Sequence, residues 1–231
     1  MSAEAGAASA LRGLPLAVRN LSVRAGGREI LRAGALDLAP GRLLGLHGPS
    51  GAGKTTLLHA LAGLAAPSAG SVRWGGTDLA ALSPAGREGF RRAHMGLIFQ
   101  DFLLFEELPA LANAALPADW APRAERAAIR ARAAAALARL GIKDPNAAVA
   151  SMSGGERQRV CAARALAGDP AILLADEPTA ALDRAAADRL TGDLVRLARE
   201  AGRSVVCVTH DARLLDAMDE TRRIADGRLE G

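Results

Sequence analysis

The sequence predicts an α/β fold in which a mainly parallel sheet is covered by helices, with an antiparallel β part and an inserted helical subdomain. Residues 171–175 and 205–209 are β-rich and apolar on both faces, as parallel strands covered by helices must be. A glycine cluster at 48–53 separates an apolar run from a stretch with helical apolar spacing. Residues 101–168 change to Ala-, Leu- and Arg-rich helical composition, which indicates the inserted helical lobe.

The remaining elements follow from periodicity and from turn residues. Further strands are predicted at 16–23, 42–47, 71–74 and 95–99. A helix is predicted at 55–64, and Gly75-Gly76 indicates a hairpin turn. Pro122 suits the first turn of a helix that ends at Leu140 before Gly141. No Pro- or Ser-rich linker divides the chain, so residues 1–231 are predicted to form a single domain.

Charge and hydropathy exclude several classes of protein. Charged residues interrupt every apolar stretch well before the roughly 18 residues that a membrane-spanning helix needs. The net charge is +4, and the arginines are spread among Ala and Glu along helical stretches, which favours solvated helix faces over a nucleic-acid site. A weak attraction to the membrane surface stays open.

The cellular compartment is predicted from the N-terminus and the cysteines. The first 13 residues carry Glu4 and lack the basic start and apolar core of a secretory signal. Cys161 and Cys207 lie in apolar stretches and are interpreted as buried, reduced thiols. Both features favour the cytoplasm.

A phosphate-binding loop is the strongest local signal. Residues 48–55 fit G-x-x-x-x-G-K-[ST] and lie between a predicted strand and a predicted helix, where this motif must lie. The glycines let backbone N–H groups surround phosphate oxygens, Lys54 places an ammonium between the β- and γ-phosphates, and Thr55 offers a hydroxyl to Mg²⁺. Only Lys54 and Lys143 among the 29 basic residues are lysines. A lysine in a chain that otherwise uses Arg indicates a role that Arg cannot fill. The predicted nucleotide-binding residues here are Gly48, Pro49, Ser50, Gly51, Ala52, Gly53, Lys54, Thr55 and Thr56.

Two adjacent carboxylates end the predicted strand at 171–175. Asp176 would reach the metal at the phosphate-binding loop, and Glu177 would lie beside the γ-phosphate and polarise water. An Asp-Glu pair after a strand is by itself more often a helix cap or a solvated turn. Downstream of a phosphate-binding loop the catalytic interpretation is favoured.

Together these motifs resemble those of ABC ATPases. Ser153-Gly-Gly-Glu-Arg-Gln158, some 20 residues before Asp176, resembles that family's signature sequence, and the resemblance extends over about residues 14–229 in the expected motif order. It implies a P-loop NTPase core and ATP hydrolysis with Mg²⁺. It also implies a head-to-tail homodimer in which Ser153, Gly154 and Gly155 cap the γ-phosphate held by the other subunit.

The resemblance assigns roles to three more residues. Gln100 matches the glutamine that senses Mg²⁺ and water at the entry to the helical lobe. Asp183 matches the loop that joins the two subunits, and His210 matches the switch histidine that contacts the γ-phosphate and positions Glu177. The expected catalytic residues are therefore Glu177, His210 and Gln100, and the expected Mg²⁺ site comprises Thr55, Gln100 and Asp176.

Three positions depart from the family pattern. Arg24-Ala25-Gly26 occupies the region where an aromatic residue usually stacks on adenine, and the protein has no Tyr. The planar guanidinium of Arg24 is a candidate substitute, and looser discrimination between ATP and GTP is predicted. Met152 and Glu156 replace the commonest Leu and Gln of the signature, both as tolerated variants.

The partner is expected to be an integral membrane permease, with this chain peripheral on the cytoplasmic face of the cell membrane. Residues 99–117 resemble the lipoprotein-releasing and macrolide-export subgroup more than sugar importers. Phe102, Leu103, Leu104 and Phe105 are expected to wall the groove that receives a short cytoplasmic helix of the permease, with ordinary core packing of the lobe as an equal alternative.

Two other functions stay open. A soluble ABC ATPase of translation or DNA repair would need a second cassette or a long coiled coil, and the sequence has neither. The other alternative is an ATP-gated regulatory module that controls a membrane protein without transport.

Overall fold

The predicted α/β class is confirmed in the structure, a computed structural model that describes residues 13–230. The start of the N-terminal segment used for the compartment prediction, including Glu4, lies outside the described residues. The strands are β1 Leu16–Ala25, β2 Arg28–Leu38, β3 Leu43–His47, β4 Ala69–Trp74, β5 Thr77–Asp78, β6 Met95–Ile98, β7 Ile172–Asp176, β8 Ser204–Val208, β9 Glu220–Ala225 and β10 Arg228–Leu229. The α-helices are α1 Lys54–Leu61, α2 Pro84–His94, α3 Ala110–Ala115, α4 Arg123–Arg139, α5 Gly154–Ala167, α6 Arg184–Arg199 and α7 Ala212–Asp216.

The strands form one mixed sheet in the order β5-β4-β1-β2-β10-β9-β3-β8-β7-β6. The half from β9 to β6 is parallel, and β7 and β8 are buried along their whole length, as their unbroken apolar sequences predict. The other half is mainly antiparallel, with β1 paired to both β2 and β4. This half is the predicted antiparallel β part.

The predicted hairpin joins β4 to β5 through Gly75 and Gly76. Gly75 has φ 59, a left-handed conformation that glycine adopts without a steric cost. Trp74, just before the turn, is fully buried and donates its indole N–H to the carbonyl of Leu61 at 2.8 Å. This hydrogen bond ties the antiparallel part to the end of α1.

Residues 101–168 contain α3, α4 and α5 and two short 3₁₀ helices, Leu116–Trp120 and Val149–Ser151. α4 begins immediately after Pro122 and ends at a C-cap on Leu140, followed by Gly141 at φ 80. The buried residues of these helices share one core cluster with residues of β3, β6, β7 and β8. The helical segment therefore packs directly against one face of the parallel half of the sheet.

Within residues 13–230, no helix combines the length and the apolar character that crossing a bilayer requires. Cys161 and Cys207 are both buried and free, as predicted. Burial raises the pKa of Cys161 to about 11 and that of Cys207 to about 12. Both side chains are therefore protonated thiols at neutral pH.

Candidate active site

The carboxyl ends of three neighbouring parallel strands bring the predicted residues together. Leu46 of β3 pairs with Val208 of β8, and Val208 also pairs with Asp176 of β7. The chain leaves these three strand ends through the phosphate-binding loop, through Glu177 and through His210. Residues separated by up to about 160 positions in the sequence thus meet at one edge of the sheet, where α/β proteins commonly bind ligands.

The phosphate-binding loop has the backbone that a phosphate cradle needs. Gly48 has φ 140, and a Cβ there would lie 2.0 Å from the carbonyl oxygen of Ile224. Gly53 has φ 99 and precedes α1 without a side chain that caps the first N–H groups. The loop residues Pro49, Ser50 and Gly51 are exposed, so the loop is accessible to a ligand.

The Lys54 ammonium lies across the loop. Its Nζ donates to the carbonyl oxygens of Gly48 and Pro49, each at 2.8 Å. A lysine suits this place because its compact ammonium can direct several N–H bonds at once. The two hydrogen bonds therefore hold the ammonium against the backbone of the loop.

Thr55 and Asp176, two of the three residues of the predicted metal site, are in direct contact. The Thr55 hydroxyl donates to Asp176 Oδ2 at 2.7 Å, and Asp176 is 2% exposed. Burial raises the pKa of the Asp176 carboxyl, the Thr55 hydrogen bond opposes this effect, and the nearby Glu177 adds to it. A buried carboxylate with a raised pKa and no cationic side chain bonded to it suits a bound cation.

The donor set fits Mg²⁺ better than a metal held entirely by protein. Within residues 13–230 no group of three or more His, Cys, Asp or Glu side chains is placed to hold a metal ion. Mg²⁺ is usually held by one or two carboxylates together with substrate phosphates and water. Asp176 and Thr55 could provide two oxygen ligands of such a shell, which a nucleotide bound at the loop would complete.

Glu177 and His210 are in direct contact. His210 Nδ1 lies 2.9 Å from Glu177 Oε1, and the second carboxylate oxygen, Oε2, is buried without a hydrogen-bond partner among the described residues. Glu177 has φ 47, and its backbone N–H donates to the carbonyl of Val208 at 2.9 Å. Residues other than glycine seldom adopt this conformation, and those that do are often found at active sites. Oε2 is thus the unsatisfied acceptor of this carboxylate.

Gln100 follows β6 after Phe99 and is exposed. Its strand neighbours β7, which carries Asp176 at its end, so Gln100 leaves the sheet at the same edge as the two carboxylates. No hydrogen bond fixes its side chain within the part of the chain that the structure describes. The side chain is thus free to turn towards a ligand at this edge.

Ser153 is the N-cap of α5 in a capping box. Its hydroxyl donates to Glu156 Oε2 at 2.8 Å and accepts from the Glu156 N–H at 3.3 Å, while the Ser153 N–H donates to the same carboxylate at 3.0 Å. The backbone N–H and then the hydroxyl of Ser153 hold the pKa of Glu156 below its usual range. Ser153 and Gly154 are exposed, so the start of this helix is open to a second molecule.

Asp183 occupies the loop next to this helix start. It is exposed and caps α6 by accepting from the Ala186 N–H at 2.8 Å. A Cβ at Gly155 would lie 3.0 Å from the carbonyl oxygen of Ala181, so the two motifs are in close backbone contact. Within residues 13–230 no hydrogen bond joins Ser153 or Asp183 to the phosphate-binding loop of the same chain. Both are placed at the surface, as residues that act on another subunit must be.

The structure does not direct Arg24 towards the phosphate-binding loop. Its guanidinium donates to the carbonyl of Gly27 at 2.8 Å and lines a separate cleft on the antiparallel part. The cleft of about 520 Å³ beside the loop is lined instead by Ile30, which is 38% exposed, together with residues of the loop and of the β9–β10 turn. The arrangement does not support stacking of Arg24 on a base, because its side chain is engaged elsewhere.

Three of the four residues predicted to wall a partner-binding groove lie outside the groove beside the helices of residues 101–168. A groove of about 940 Å³ runs between α2, the start of β6 and the helices of residues 101–168, and it contains Leu103 of the stretch 102–105. Leu104 packs against the core instead. Phe105 is 53% exposed outside the groove, and its backbone N–H is bonded to the Asn113 side chain at 2.8 Å. The groove is formed mainly by residues of other elements, including Phe99 and Trp120.

Asp211, the residue after His210, makes polar contacts that no sequence motif indicated. Thr179 donates to Asp211 Oδ2 at 3.2 Å, and the same oxygen lies 3.7 Å from Arg184. Arg184 directly follows Asp183, so this set of polar contacts connects the loop of Asp183 with the loop of His210. An Asp at a helix start was a detectable N-cap signal, but its long-range partners were not.

Comparisons with known proteins identify the family of this chain. A sequence profile of the ABC transporter family matches residues 31–180. The lipoprotein-releasing system ATP-binding protein LolD 2 of Caulobacter vibrioides is 42% identical over 96% of each chain. The macrolide export ATP-binding/permease protein MacB of Sodalis glossinidius is 43% identical over 84% of this chain and 30% of that protein. A dimeric, post-hydrolysis structure of the ATP-binding cassette MJ0796 bound to ADP and Pi superposes with a TM-score of 0.86 at 32% identity, over 94% of this chain and 97% of that chain.

The profile covers more than half of the chain, and the LolD relative matches it nearly end to end. The solved cassette carries the products of ATP hydrolysis on the same fold. The chain therefore belongs to the ABC transporter family, in which it is an ATP-binding and ATP-hydrolysing subunit.

Proposed function

We propose that this chain is the separate ATPase subunit of a membrane transporter of the lipoprotein-releasing or export type. The LolD relative is itself named as an ATP-binding protein and matches over 96% of its length. The MacB relative joins an ATP-binding part to a permease in one protein, of which this chain covers only 30%. Both likenesses support a chain that supplies ATP hydrolysis to a permease.

The contact between His210 and Glu177 carries the catalytic part of this proposal. Glu177 holds one oxygen 2.9 Å from the imidazole and keeps the other without a partner among the described residues. In the proposed reaction Glu177 accepts a proton from the attacking water, while His210 orients the carboxylate and contacts the γ-phosphate. Gln100 orients the same water from the neighbouring strand end. A general base of this kind usually contributes about 10²–10⁴-fold in rate.

The proposed nucleotide complex contains Mg²⁺ held by Thr55 and Asp176, with Gln100 close to it. Bound Mg²⁺ would neutralise charge on the β- and γ-phosphate oxygens. Lys54 and the N–H groups of residues 48–56 would bind the same phosphates. The short hydrogen bond between Thr55 and Asp176 supports this assignment, because it already holds both oxygen ligands at the loop.

The proposed active unit is a head-to-tail homodimer with two ATP molecules at the interface. Ser153, Gly154 and Gly155 of one subunit would cap the γ-phosphate bound to the other, and Asp183 would join the two sites. The exposure of Ser153 and Gly154 at the N-terminus of α5 supports the assignment. Residues 101–168 would move as a lobe when ATP closes the dimer, and that motion would drive the permease.

Two experiments test the proposal in order. Phosphate release by the purified chain should depend on Mg²⁺ and fall by at least about 100-fold in Glu177→Gln. Release at background level from folded wild-type protein would favour a regulatory module that binds ATP without turnover. Purification of the tagged chain from gently solubilised native membranes, followed by mass spectrometry, should then recover a permease with few membrane spans and a large extracytoplasmic domain. Recovery of soluble proteins alone would refute the proposed location on the inner face of the membrane.

A further inference from the structure

The antiparallel β part carries a polar cleft of about 550 Å³ that contains no residue of the phosphate-binding loop. The cleft lies over β1, β2 and β10, and its charged lining residues are Arg24, Glu29, Arg32 and Arg228. Three guanidinium groups and one carboxylate give these residues a formal net charge of +2. A volume of this size is typical of sites that bind small molecules.

The carboxylate of the cleft is already engaged. Glu29 Oε1 accepts from Arg32 Nε at 2.8 Å, and Oε2 accepts from Arg32 Nη2 and from the Ser22 hydroxyl at 2.9 Å each. Hydrogen bonds from Arg32 and then from Ser22 hold the pKa of Glu29 below its usual range, so Glu29 is ionised at neutral pH and neutralises Arg32. In the described part of the chain, no carboxylate lies within ion-pair distance of Arg24 or Arg228.

Two of the arginines oppose each other across neighbouring strands. Arg228 of β10 pairs in register with Arg32 of β2. Side chains at paired positions project from the same face of a sheet, and like charges there are destabilising. Among residues 13–230, the Arg228 guanidinium has neither a hydrogen-bond acceptor nor an ion-pair partner. An anion bound between the two arginines would replace their repulsion with attraction.

The cleft offers further hydrogen-bond donors. The Arg24 guanidinium makes one hydrogen bond, from Nη2 to the carbonyl of Gly27 at 2.8 Å, although a guanidinium carries several N–H groups. Ser68 Oγ accepts from the Arg24 backbone N–H at 3.0 Å, and its own hydrogen has no acceptor within the described residues. A peptide would bring N–H groups that need acceptors, whereas an ionised phosphate presents acceptors alone. The donor-rich lining therefore favours phosphate.

We propose that this cleft binds the phosphate groups of a small soluble ligand through Arg24, Arg32 and Arg228. The planar fork of a guanidinium matches phosphate oxygens in bidentate geometry, and two such forks without a carboxylate partner suit a ligand with more than one negative charge. This site needs neither a permease nor ATP turnover, so it goes beyond the proposed function.

The cleft adjoins the phosphate-binding loop through backbone hydrogen bonds. The Arg32 N–H donates to the Gly227 carbonyl at 2.6 Å, and the Gly227 N–H donates to the Ala52 carbonyl at 3.2 Å. Glu29 and Arg228 also line the cleft beside the loop. Because the loop would bind phosphate as well, a test of the polar cleft has to weaken the loop first.

The experiment titrates inorganic pyrophosphate, without Mg²⁺, into the full-length Lys54→Ala chain by isothermal titration calorimetry. Loss of the Lys54 ammonium weakens phosphate binding at the loop, so the cleft should dominate the signal with one ligand per chain. Adding Arg228→Gln should weaken binding about five- to tenfold, because a charge-assisted hydrogen bond is lost. The matched control is Arg28→Gln, because Arg28 is also an exposed arginine of the antiparallel part but lines neither cleft.

A second arm leaves the chain unchanged and so does not depend on the folding of any variant. Pyrophosphate is added to the ADP-saturated wild-type protein, and backbone amide signals are followed by nuclear magnetic resonance. The signals of Ala33, Gly34 and Ala69, which line the cleft, should shift. Shifts confined to residues 48–56 would contradict the proposal.

Other outcomes would also overturn it. These are the absence of pyrophosphate binding to the Lys54→Ala chain, and equal binding by the Arg228→Gln and Arg28→Gln variants. A third is Arg228-dependent flotation on phosphatidylglycerol vesicles without pyrophosphate binding, since the phosphate would then belong to a lipid headgroup. None of these outcomes bears on the proposed ATP hydrolysis, whose test is phosphate release.

Discussion

His210 Nδ1 and Glu177 Oε1 lie 2.9 Å apart, although the two side chains differ greatly in exposure. The histidine side chain is 78% exposed and the glutamate side chain is 14% exposed. The imidazole thus closes one side of the carboxylate, while the second oxygen stays buried and unpaired among the described residues. This geometry supports the proposed division of roles, in which His210 orients the carboxylate and Glu177 accepts the proton.

The two roles predict different kinetic losses. Glu177→Gln keeps an oxygen for His210 but removes the base, so turnover should fall by at least about 100-fold while ATP binding is retained. His210→Ala should lower the rate by about 10- to 100-fold, because the carboxylate survives but loses its orientation. Single-turnover phosphate release and equilibrium ATP binding measure the two effects. A larger loss for His210→Ala than for Glu177→Gln would contradict this division.

Asp176→Asn should stabilise the nucleotide-free protein. Burial raises the pKa of Asp176, so its carboxyl favours folding when protonated, and this contribution is lost as pH rises through the raised pKa. Asn keeps an oxygen that accepts from Thr55 but carries no charge. At neutral pH we expect a melting temperature at least about 2 °C higher, the shift for roughly 1 kcal/mol in a domain of this size.

The same variant should lose the stabilisation that MgADP adds over ADP alone. Differential scanning fluorimetry with ADP, with and without Mg²⁺, measures both effects. The control is Asp216→Asn, because Asp216 is an exposed carboxylate at the end of α7, away from the strand ends. An unchanged or lower melting temperature of nucleotide-free Asp176→Asn, or full Mg²⁺-dependent stabilisation, would contradict the assignment.

The elements predicted most accurately are those that a short stretch of sequence determines by itself. The strand ending at Asp176 and the loop leading to Lys54 follow from apolar runs and a glycine motif, which constrain the backbone strongly. Contacts between residues far apart in the chain leave no comparable pattern in the sequence. The Ile30 side chain reaches the phosphate-binding loop only because β2 passes beside it, and Phe105 turns away because the Asn113 side chain binds its backbone.

Ile30 should contribute more to nucleotide binding than Arg24. Ile30 lines the cleft beside the phosphate-binding loop, whereas the Arg24 side chain is bonded to Gly27. Ile30→Ser should weaken binding of ATP and GTP by about three- to tenfold each, since an aliphatic surface covers either base without reading its edges. Arg24→Ala should change either affinity by less than about twofold. Fluorescence titration with labelled nucleotides tests this, and a dominant loss in Arg24→Ala would restore the guanidinium as the base platform.

Glu156→Gln should have opposite effects on folding and on dimerisation. Hydrogen bonds from Ser153 hold the pKa of Glu156 below its usual range, so the carboxylate stabilises the fold at neutral pH. This stabilisation is lost as pH falls through the lowered pKa. The melting temperature of Glu156→Gln should therefore be lower than that of wild type at pH 7, and the difference should shrink below about pH 4.

Dimerisation should respond in the other direction if Ser153 meets the phosphate of a second subunit. The Glu156 carboxylate accepts a hydrogen bond from the Ser153 hydroxyl and repels an approaching anion. The neutral amide of Gln would hold the hydroxyl less strongly and would not repel the anion. The test uses the Glu177→Gln background, which keeps ATP intact. Adding Glu156→Gln should lower the ATP concentration needed for dimerisation, and this decrease should be largest at low salt. Light scattering after size exclusion measures this, with Glu200→Gln as an exposed-charge control at the far end of α6. Weaker dimerisation in Glu156→Gln would instead mean that the carboxylate orders the helix start, and that this order matters more to the interface than the removal of its charge.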